Sequence, residues 1–327
     1  EWVGPDDLPA GRLGDSVHHV GVGDLWIIAG QSNASGTGRG VAEDGPELGV
    51  HVLGNDEQWA PAVHPLNEPR GTDHPNRDAG AGTSPYLRFA KTLRRELGRP
   101  IGLVQTAKGG SALREWHVEE DPDAPLWHNM LHCVGLAGGR VRGMVWYQGC
   151  SDGGLSTEPD AWTYEPRWAA FLDRAREQFG AFPVVVTQLN RWTDVEHPPE
   201  VVEGFSIVRE TQRRAGKLPG VCVIPSLDVP LSDGIHNSSA GNVVLGERAA
   251  RAALGFVYGR EIPWRAPEPR RAARENGGRT VRIEFDGVTS RLILLGRGLE
   301  DFRVRDEAGT ATVDSATAEG DTVQLDL

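Results

Sequence analysis

Five apolar runs stand out along the chain: DLWIIAG (24–30), PIGLVQTAKGG (100–110), VRGMVWYQGCSD (141–152), FPVVVTQLN (182–190) and GVCVIPSLD (220–228). Their apolar positions are consecutive rather than alternating, the pattern of strands covered on both faces of a parallel sheet. Between them lie SPYLRFAKTLRRELG, LWHNMLHCVGLAGG, AWTYEPRWAAFLDRAREQFG and GFSIVRETQRRAGK, and AGNVVLGERAARAALGFVYG follows the last run, all with helix-like spacing. Ser84 before Pro85, and Gly98 at the far end, are helix start and stop signals for the first of these. Strands alternating with helices predict right-handed crossovers and a three-layer α/β/α sandwich on a five-stranded parallel sheet, with its core over residues 20–260.

Two stretches break this rhythm. From Asn33 to Thr83 run about fifty residues rich in Gly, Pro, His and Asp, a length usually reserved for functional loops, and a cover over the substrate is expected there. Beyond a first domain of residues 1–262, the Pro- and Arg-rich span 263–278 reads as a linker. TVRIEFDG, SRLILLG, FRVRDEAG and DTVQLDL then predict a small antiparallel β module over 279–327.

In an open parallel sheet, ligands gather beyond the carboxyl ends of the strands. Ser32, Gly109, Gly110, Gln148 and Asn190 fall at such ends, and Asp233 and His236 lie just past the fifth strand. A hydrolytic serine needs a base, a carboxylate to orient that base, and donors for an oxyanion. In SDGIHN, Asp233 precedes His236 by three residues, so on one turn the carboxylate can hold Nδ1 while Nε2 faces Ser32. Candidate donors are the main-chain N–H of Ser32, an N–H of the Gly109–Gly110 pair, and the Gln148 amide.

Each residue also has a plainer reading. Ser32 alone would be an N-cap, and Ser111 is read as capping the turn after the glycines rather than as a rival nucleophile. Cys150 reads as a small buried hydrophobe, since nothing near it in sequence lowers a thiol pKa. GTGRG (36–40) lacks the lysine of a phosphate loop. His18, His19, His64 and His74 lack ligand spacing, so no metal is expected. Asn33 and Asn237 head Asn-x-Ser triplets inside the proposed site, where a glycan would obstruct it. Trp59, Trp116 and Trp192 are suited either to stacking on a sugar or to a core.

Composition narrows the class of partner. With 34 basic and 46 acidic residues among 327, the formal charge of −12 repels a phosphate backbone, so nucleic acid is excluded as the expected partner. No apolar run approaches the roughly 18 residues that span a bilayer, so no membrane segment is expected. Three cysteines, Cys133, Cys150 and Cys222, make neither a disulfide framework nor a zinc site. The start EWVGPDDLPAG is no signal peptide and lacks an initiator Met, which leads us to expect that something upstream has been removed.

GQSN with Ser32, the GGS and Trp of GGSALREW, WYQG-x-SD at 146–152, and D-x-x-H followed by LGERAA resemble the sialate O-acetylesterase-like branch of the SGNH hydrolases, which also contains the family 6 acetylxylan esterases. The resemblance spans about residues 20–255 and implies a flavodoxin-like fold, no cofactor, and removal of acyl groups, typically acetyl, from carbohydrates. It implies Ser32 as nucleophile, His236 as base and Asp233 as its partner, with Ser32, Gly110 and Gln148 in the oxyanion hole. Gly109 is a close second to Gly110. Gln31, Asn33, Gly109, Arg114, Trp116 and Asn190 are candidate substrate contacts, and an extracellular location is the family expectation. One position departs from the pattern: the family commonly reads QGE, and Cys150 stands where that Glu would be. The departure motivates two rival readings, a non-catalytic sugar-binding protein on the same scaffold and a cysteine hydrolase using Cys150.

Overall fold

The computed structural model of the chain describes residues 21–67, 77–78, 82–118, 123–155, 160–193, 196–295, 299, 302–307 and 309–327. Its main sheet is built from β1 (Asp24–Gly30), β2 (Val50–Leu53), β3 (Trp59–Pro61), β4 (Ile101–Gln105), β5 (Gly143–Tyr147), β6 (Val184–Thr187) and β7 (Val221–Ile224). The order is β3-β2-β4-β1-β5-β6-β7, and every pairing is parallel except the edge pair β2–β3. All five expected strands are present, and the sheet has seven strands rather than five. The two additions come from the segment expected to be loop. VHVL is too short to show a period, and β3 carries Pro61, which a sheet tolerates at an edge where the missing N–H breaks no ladder. The expected cover over the site concerns in part residues 68–76 and 79–81, outside the described residues, as are His18, His19 and His74.

Both faces of the sheet are dry. Trp26 and Ile28 of β1 pack with Tyr86, Phe89, Leu245 and Ala249 on one face, which places α2 (Pro85–Leu97) and α6 (Ser239–Phe256) there. Ile27 and Ala29 enter the opposite layer with Met130, Phe171 and Val208, contributed by α3 (Pro125–Leu136), α4 (Tyr164–Phe179) and α5 (Pro199–Ala215). Each large aliphatic or aromatic side chain fully buried in this way contributes about 1.5–3 kcal/mol, which is why the strands are continuously apolar. The helix signals hold: Ser84 Oγ accepts the Tyr86 N–H, and Gly98 closes α2 in the left-handed conformation. Among the described residues, no helix is long and apolar enough to cross a membrane.

A separate antiparallel sheet, ordered β12-β13-β9-β8, follows from β8 (Glu268–Glu275), β9 (Thr280–Asp286), β12 (Ser315–Glu319) and β13 (Thr322–Asp326), and β10 (Val304–Asp306) pairs with β11 (Gly309–Ala311). The expected linker 263–278 is therefore corrected: half of it is β8, paired with β9 along its length. Its Arg and Glu side chains face solvent on an edge strand, so charge there did not preclude pairing. SRLILLG is also corrected, because residues 291–295 form no strand and Ile293 and Leu295 are exposed.

For the site, the decisive feature is that β4 and β5 flank β1 on opposite sides. The connection leaving β1 runs to β2 on the β4 side, and the one leaving β4 crosses to β5, so the two diverge and open a crevice at the carboxyl end of β1. Gly30, the last residue of β1, has φ +129°, and a Cβ on it would lie 2.2 Å from the Tyr147 carbonyl oxygen. Only glycine lets the two backbones meet this closely. Gly30→Ala is expected to lower stability by about 3 kcal/mol or more, far above an ordinary substitution, measured by urea unfolding. A loss below about 1 kcal/mol would contradict this close approach.

Candidate active site

Directly past Gly30 the chain makes one helical turn, α1 (Ser32–Ser35), closed by Gly36. Ser32 thus stands at the head of a turn over the crevice. His236 and Asp233 arrive from the loop between β7 and α6. Asp233 Oδ1 accepts the main-chain N–H groups of Ile235 (2.9 Å) and His236 (2.7 Å), which folds this loop into a tight turn around its own carboxylate. Its other oxygen, Oδ2, lies 2.8 Å from His236 Nδ1, and His236 Nε2 lies 3.0 Å from Ser32 Oγ. A carboxylate cannot donate, so the ring proton belongs on Nδ1, and Nε2 is left to accept the Ser32 hydroxyl proton.

Burial works to raise the Asp233 carboxyl pKa. The N–H groups of Ile235 and His236 and the imidazole outweigh it, and hold the carboxyl below its ordinary range. The carboxylate therefore stays ionised beside the ring.

The turn is fixed from two strand ends. Asn33 donates to the Ile235 carbonyl (3.2 Å) and accepts the Asn237 N–H (3.0 Å). Asn190, beyond β6, donates to the same carbonyl (2.7 Å) and to Asn237 Oδ1 (3.0 Å). Among the described residues, the N–H groups of Ser32 and Gly110 have no acceptor in the protein. Gly110 has φ +73°. These two donors border the crevice from the β1 and β4 sides.

The sequence profile of the family described as carbohydrate esterase, sialic acid-specific acetylesterase, matches residues 22–255. The chain belongs to this family. As a carbohydrate esterase it is a carboxylic ester hydrolase, and its fold is that of the SGNH hydrolases. It is 27% identical over 258 residues to a probable carbohydrate esterase of Arabidopsis thaliana, covering 70% of this chain and 90% of that one. Among solved structures, a carbohydrate acetylesterase from Xanthomonas citri superposes with a TM-score of 0.68 at 21% identity, covering 93% of this chain and 72% of the other. A protein from Arabidopsis thaliana superposes at 0.58 with 25% identity, covering 71% and 98%.

In this esterase several expected contact residues turn out to be buried frame. Gln31 directs Oε1 at the N–H groups of Gly149 (2.9 Å), Cys150 (2.8 Å) and Ser151 (3.4 Å). Asn33 and Asn190 hold the histidine turn, and Trp116 stacks edge-on against Trp146 at 5.3 Å inside the core. Arg114 is half-buried on a short 3₁₀ turn, Leu113–Trp116. Trp192 packs on Phe205, whereas Trp59 is exposed on β3. Both Asn-x-Ser asparagines, Asn33 and Asn237, are buried.

The oxyanion expectation for Gln148 is corrected as well. Both its N–H groups are engaged, by the Ser111 carbonyl (3.0 Å) and by Asp152 Oδ2 (2.5 Å), so the amide has no donor left for a substrate oxygen. Gly109 likewise donates its N–H to Asp78 Oδ2 at 2.5 Å, which leaves Gly110 as the open member of the pair.

Asp152 closes the WYQG-x-SD motif, yet the sequence alone assigns it no role. The structure buries it, with 3% of its surface exposed. It accepts the Leu113 N–H on both oxygens (3.2 and 3.1 Å) besides the Gln148 amide. Burial pushes its carboxyl up to about 6 despite these donors, with Arg167 giving a smaller opposing pull. A native pKa above the ordinary 3.8 means the folded state binds this proton more tightly. The resulting stabilisation is complete below the unfolded value and lost as pH rises through about 6. Asp152→Asn lacks this component. Its unfolding free energy relative to wild type should therefore climb by about 2–3 kcal/mol from about pH 4 to about pH 7, whatever constant offset the altered contacts add. Urea unfolding at the two pH values reads this, and a pH-independent difference would show that folding does not raise the Asp152 carboxyl pKa.

Proposed function

We propose that the protein hydrolyses acyl esters, foremost acetyl esters, on carbohydrates, with Ser32 as nucleophile, His236 as general base and Asp233 as its orienting carboxylate. The observation that carries this reading is the unbroken line Ser32 Oγ–His236 Nε2 (3.0 Å) and His236 Nδ1–Asp233 Oδ2 (2.8 Å) at the sheet's switch point. The family and the named relatives support the substrate class.

The chemistry follows from the geometry. Ser32 Oγ attacks the ester carbonyl as its proton passes to Nε2, and the imidazolium so formed is stabilised by Asp233 through Nδ1. The developing oxyanion lies against the N–H groups of Ser32 and Gly110, which have no other acceptor among the described residues. His236 returns the proton to the departing sugar oxygen, and an acyl group remains on Ser32. Water, deprotonated by the same base, then releases it as the acid.

The thiol reading is disfavoured by a specific observation. Cys150 is buried, and burial pushes its thiol pKa up to about 12, so thiolate is scarce at neutral pH. A purely binding role leaves the three-residue line without a purpose.

Acetate release from a small aryl acetate and from a panel of acetylated sugars tests the reading. Ser32→Ala should be inactive while remaining folded. Asp233→Asn should lower kcat by about four orders of magnitude, because the ring loses its orienting carboxylate. Cys150→Ala should stay close to wild type. An active Ser32→Ala, or a dead Cys150→Ala beside an active Asp233→Asn, would overturn the assignment.

A further inference from the structure

Three loops meet at the crevice: the start of α1 after β1, residues 109–113 after β4, and residues 148–152 after β5. The two open donors lie on the first and second of these, Ser32 N–H and Gly110 N–H. A two-donor oxyanion site works only if its donors are held at a fixed separation before the charge develops, since reorganising dipoles during the reaction forfeits the gain. Among the hydrogen bonds that set this separation, the most numerous run through the third loop.

On one side, Gln31, the residue before Ser32, inserts its amide oxygen among the N–H groups of Gly149, Cys150 and Ser151. On the other side, the same loop reaches residues 110–113 at three successive points. Ser151 Oγ donates to the Gly110 carbonyl at 2.8 Å. Gln148 Nε2 donates to the Ser111 carbonyl at 3.0 Å. Asp152 accepts the Leu113 N–H on both oxygens and also holds the Gln148 amide, so it anchors one tie directly and orients another. All of these side chains are buried.

We infer that Asp152 is the positioning residue of the oxyanion site, fixing the loop that presents the Gly110 N–H at its working distance from the Ser32 N–H. This inference rests on the assignment of Ser32 and Gly110 under Proposed function. Asp152 touches neither Ser32 nor His236 in the hydrogen-bond geometry described above, so it acts through the backbone of residues 110–113. The carboxylate suits this role because a single side chain must accept from two donors of different loops at once. Asparagine keeps one oxygen able to take both the Gln148 amide and the Leu113 N–H at the Oδ2 position, whereas alanine keeps none.

The experiment uses the full chain and compares wild type with Asp152→Ala, Asp152→Asn, Ser151→Ala and Ser32→Ala. Active sites are counted by end-point labelling with a serine-directed fluorophosphonate, and kcat per labelled site and KM are measured on an aryl acetate. Affinity is measured for a boronic acid, which forms a tetrahedral adduct on serine. Asp152→Ala should lower kcat per labelled site by about a hundredfold with KM nearly unchanged, and should weaken the boronic acid in parallel, since a misplaced oxyanion donor costs about 10²–10³ in rate. Asp152→Asn should recover at least about tenfold of that loss.

A role confined to stability would lower the labelled fraction while leaving kcat per labelled site intact, and that result overturns the inference. If Asp152→Ala does not fold, Ser151→Ala removes only the tie to the Gly110 carbonyl. It should still lower kcat and boronic acid affinity together, and an unchanged Ser151→Ala would then count against the inference. Wild-type rates in folded Asp152→Ala beside an inactive Ser32→Ala refute this positioning role alone. An active Ser32→Ala refutes instead the reading on which it rests.

Discussion

β1 is hydrogen-bonded on both sides up to its last residue, and the edge that carries the candidate site depends on that constraint. Its register to β4 runs from Asp24↔Ile101 to Ile28↔Gln105, and to β5 from Trp26↔Gly143 to Gly30↔Tyr147. The Gln31 N–H continues the second ladder one step further, to the Tyr147 carbonyl at 2.9 Å. The chain is still pinned when it passes from strand into the turn that carries Ser32. Ser32, the proposed nucleophile, lies two residues past the end of this doubly paired central strand and inherits the rigidity of the sheet, which a loop alone does not supply.

Around that pinned end the protein buries amide side chains that a solvated loop would leave in water. Gln31, Asn33, Asn190 and Gln148 are all buried, and each makes hydrogen bonds to the backbone of a different segment. Buried polar groups are costly unless paired, and pairing between segments specifies their arrangement. Asn33 accepts and donates at once, holding both a carbonyl and an N–H of the histidine turn, whereas Gln148 and Asn190 hold their neighbours through their N–H groups and Gln31 through its oxygen. The polar residues at the strand ends thus divide the labour: a few face the crevice, and more of them hold those few in place.

The same division accounts for the two unusual positions in WYQGCSD. Cys150, where the resemblance leads one to expect glutamate, is a small buried thiol whose main-chain N–H serves Gln31. Two residues later, a buried carboxylate is kept ionisable although burial raises it to about 6. Removing a charge from water is expensive, and a group retained under that penalty in a cleft points to use rather than packing.

Much of this was legible in the chain itself, for a local reason. Continuous apolar runs appear wherever both faces of a strand are covered, so β1, β4, β5, β6 and β7 could be read directly, as could α2 from Ser84, Pro85 and Gly98. The proximity of Ser32, Asp233 and His236 could be anticipated as a candidate, because Asp233 and His236 sit three residues apart on one turn and Ser32 lies at a strand end, a position that chain order fixes. The short strands β2 and β3 are too brief to show a period, and β8 is an exposed, charged edge strand without apolar alternation; of the three, only β2 also pairs with a strand distant in sequence, β4. Tertiary structure also decided which polar residues face the crevice. Gln148, Asn33 and Trp116 lie in the quoted motifs and Asn190 at a strand end, as the proposed site residues do, yet their side chains point into the frame. Asp152 had a place in a motif but no role until Leu113 was brought to it from another segment. Sequence order settles which residues reach the edge of the sheet; direction and burial at that edge come from contacts between loops that the chain separates by tens of residues.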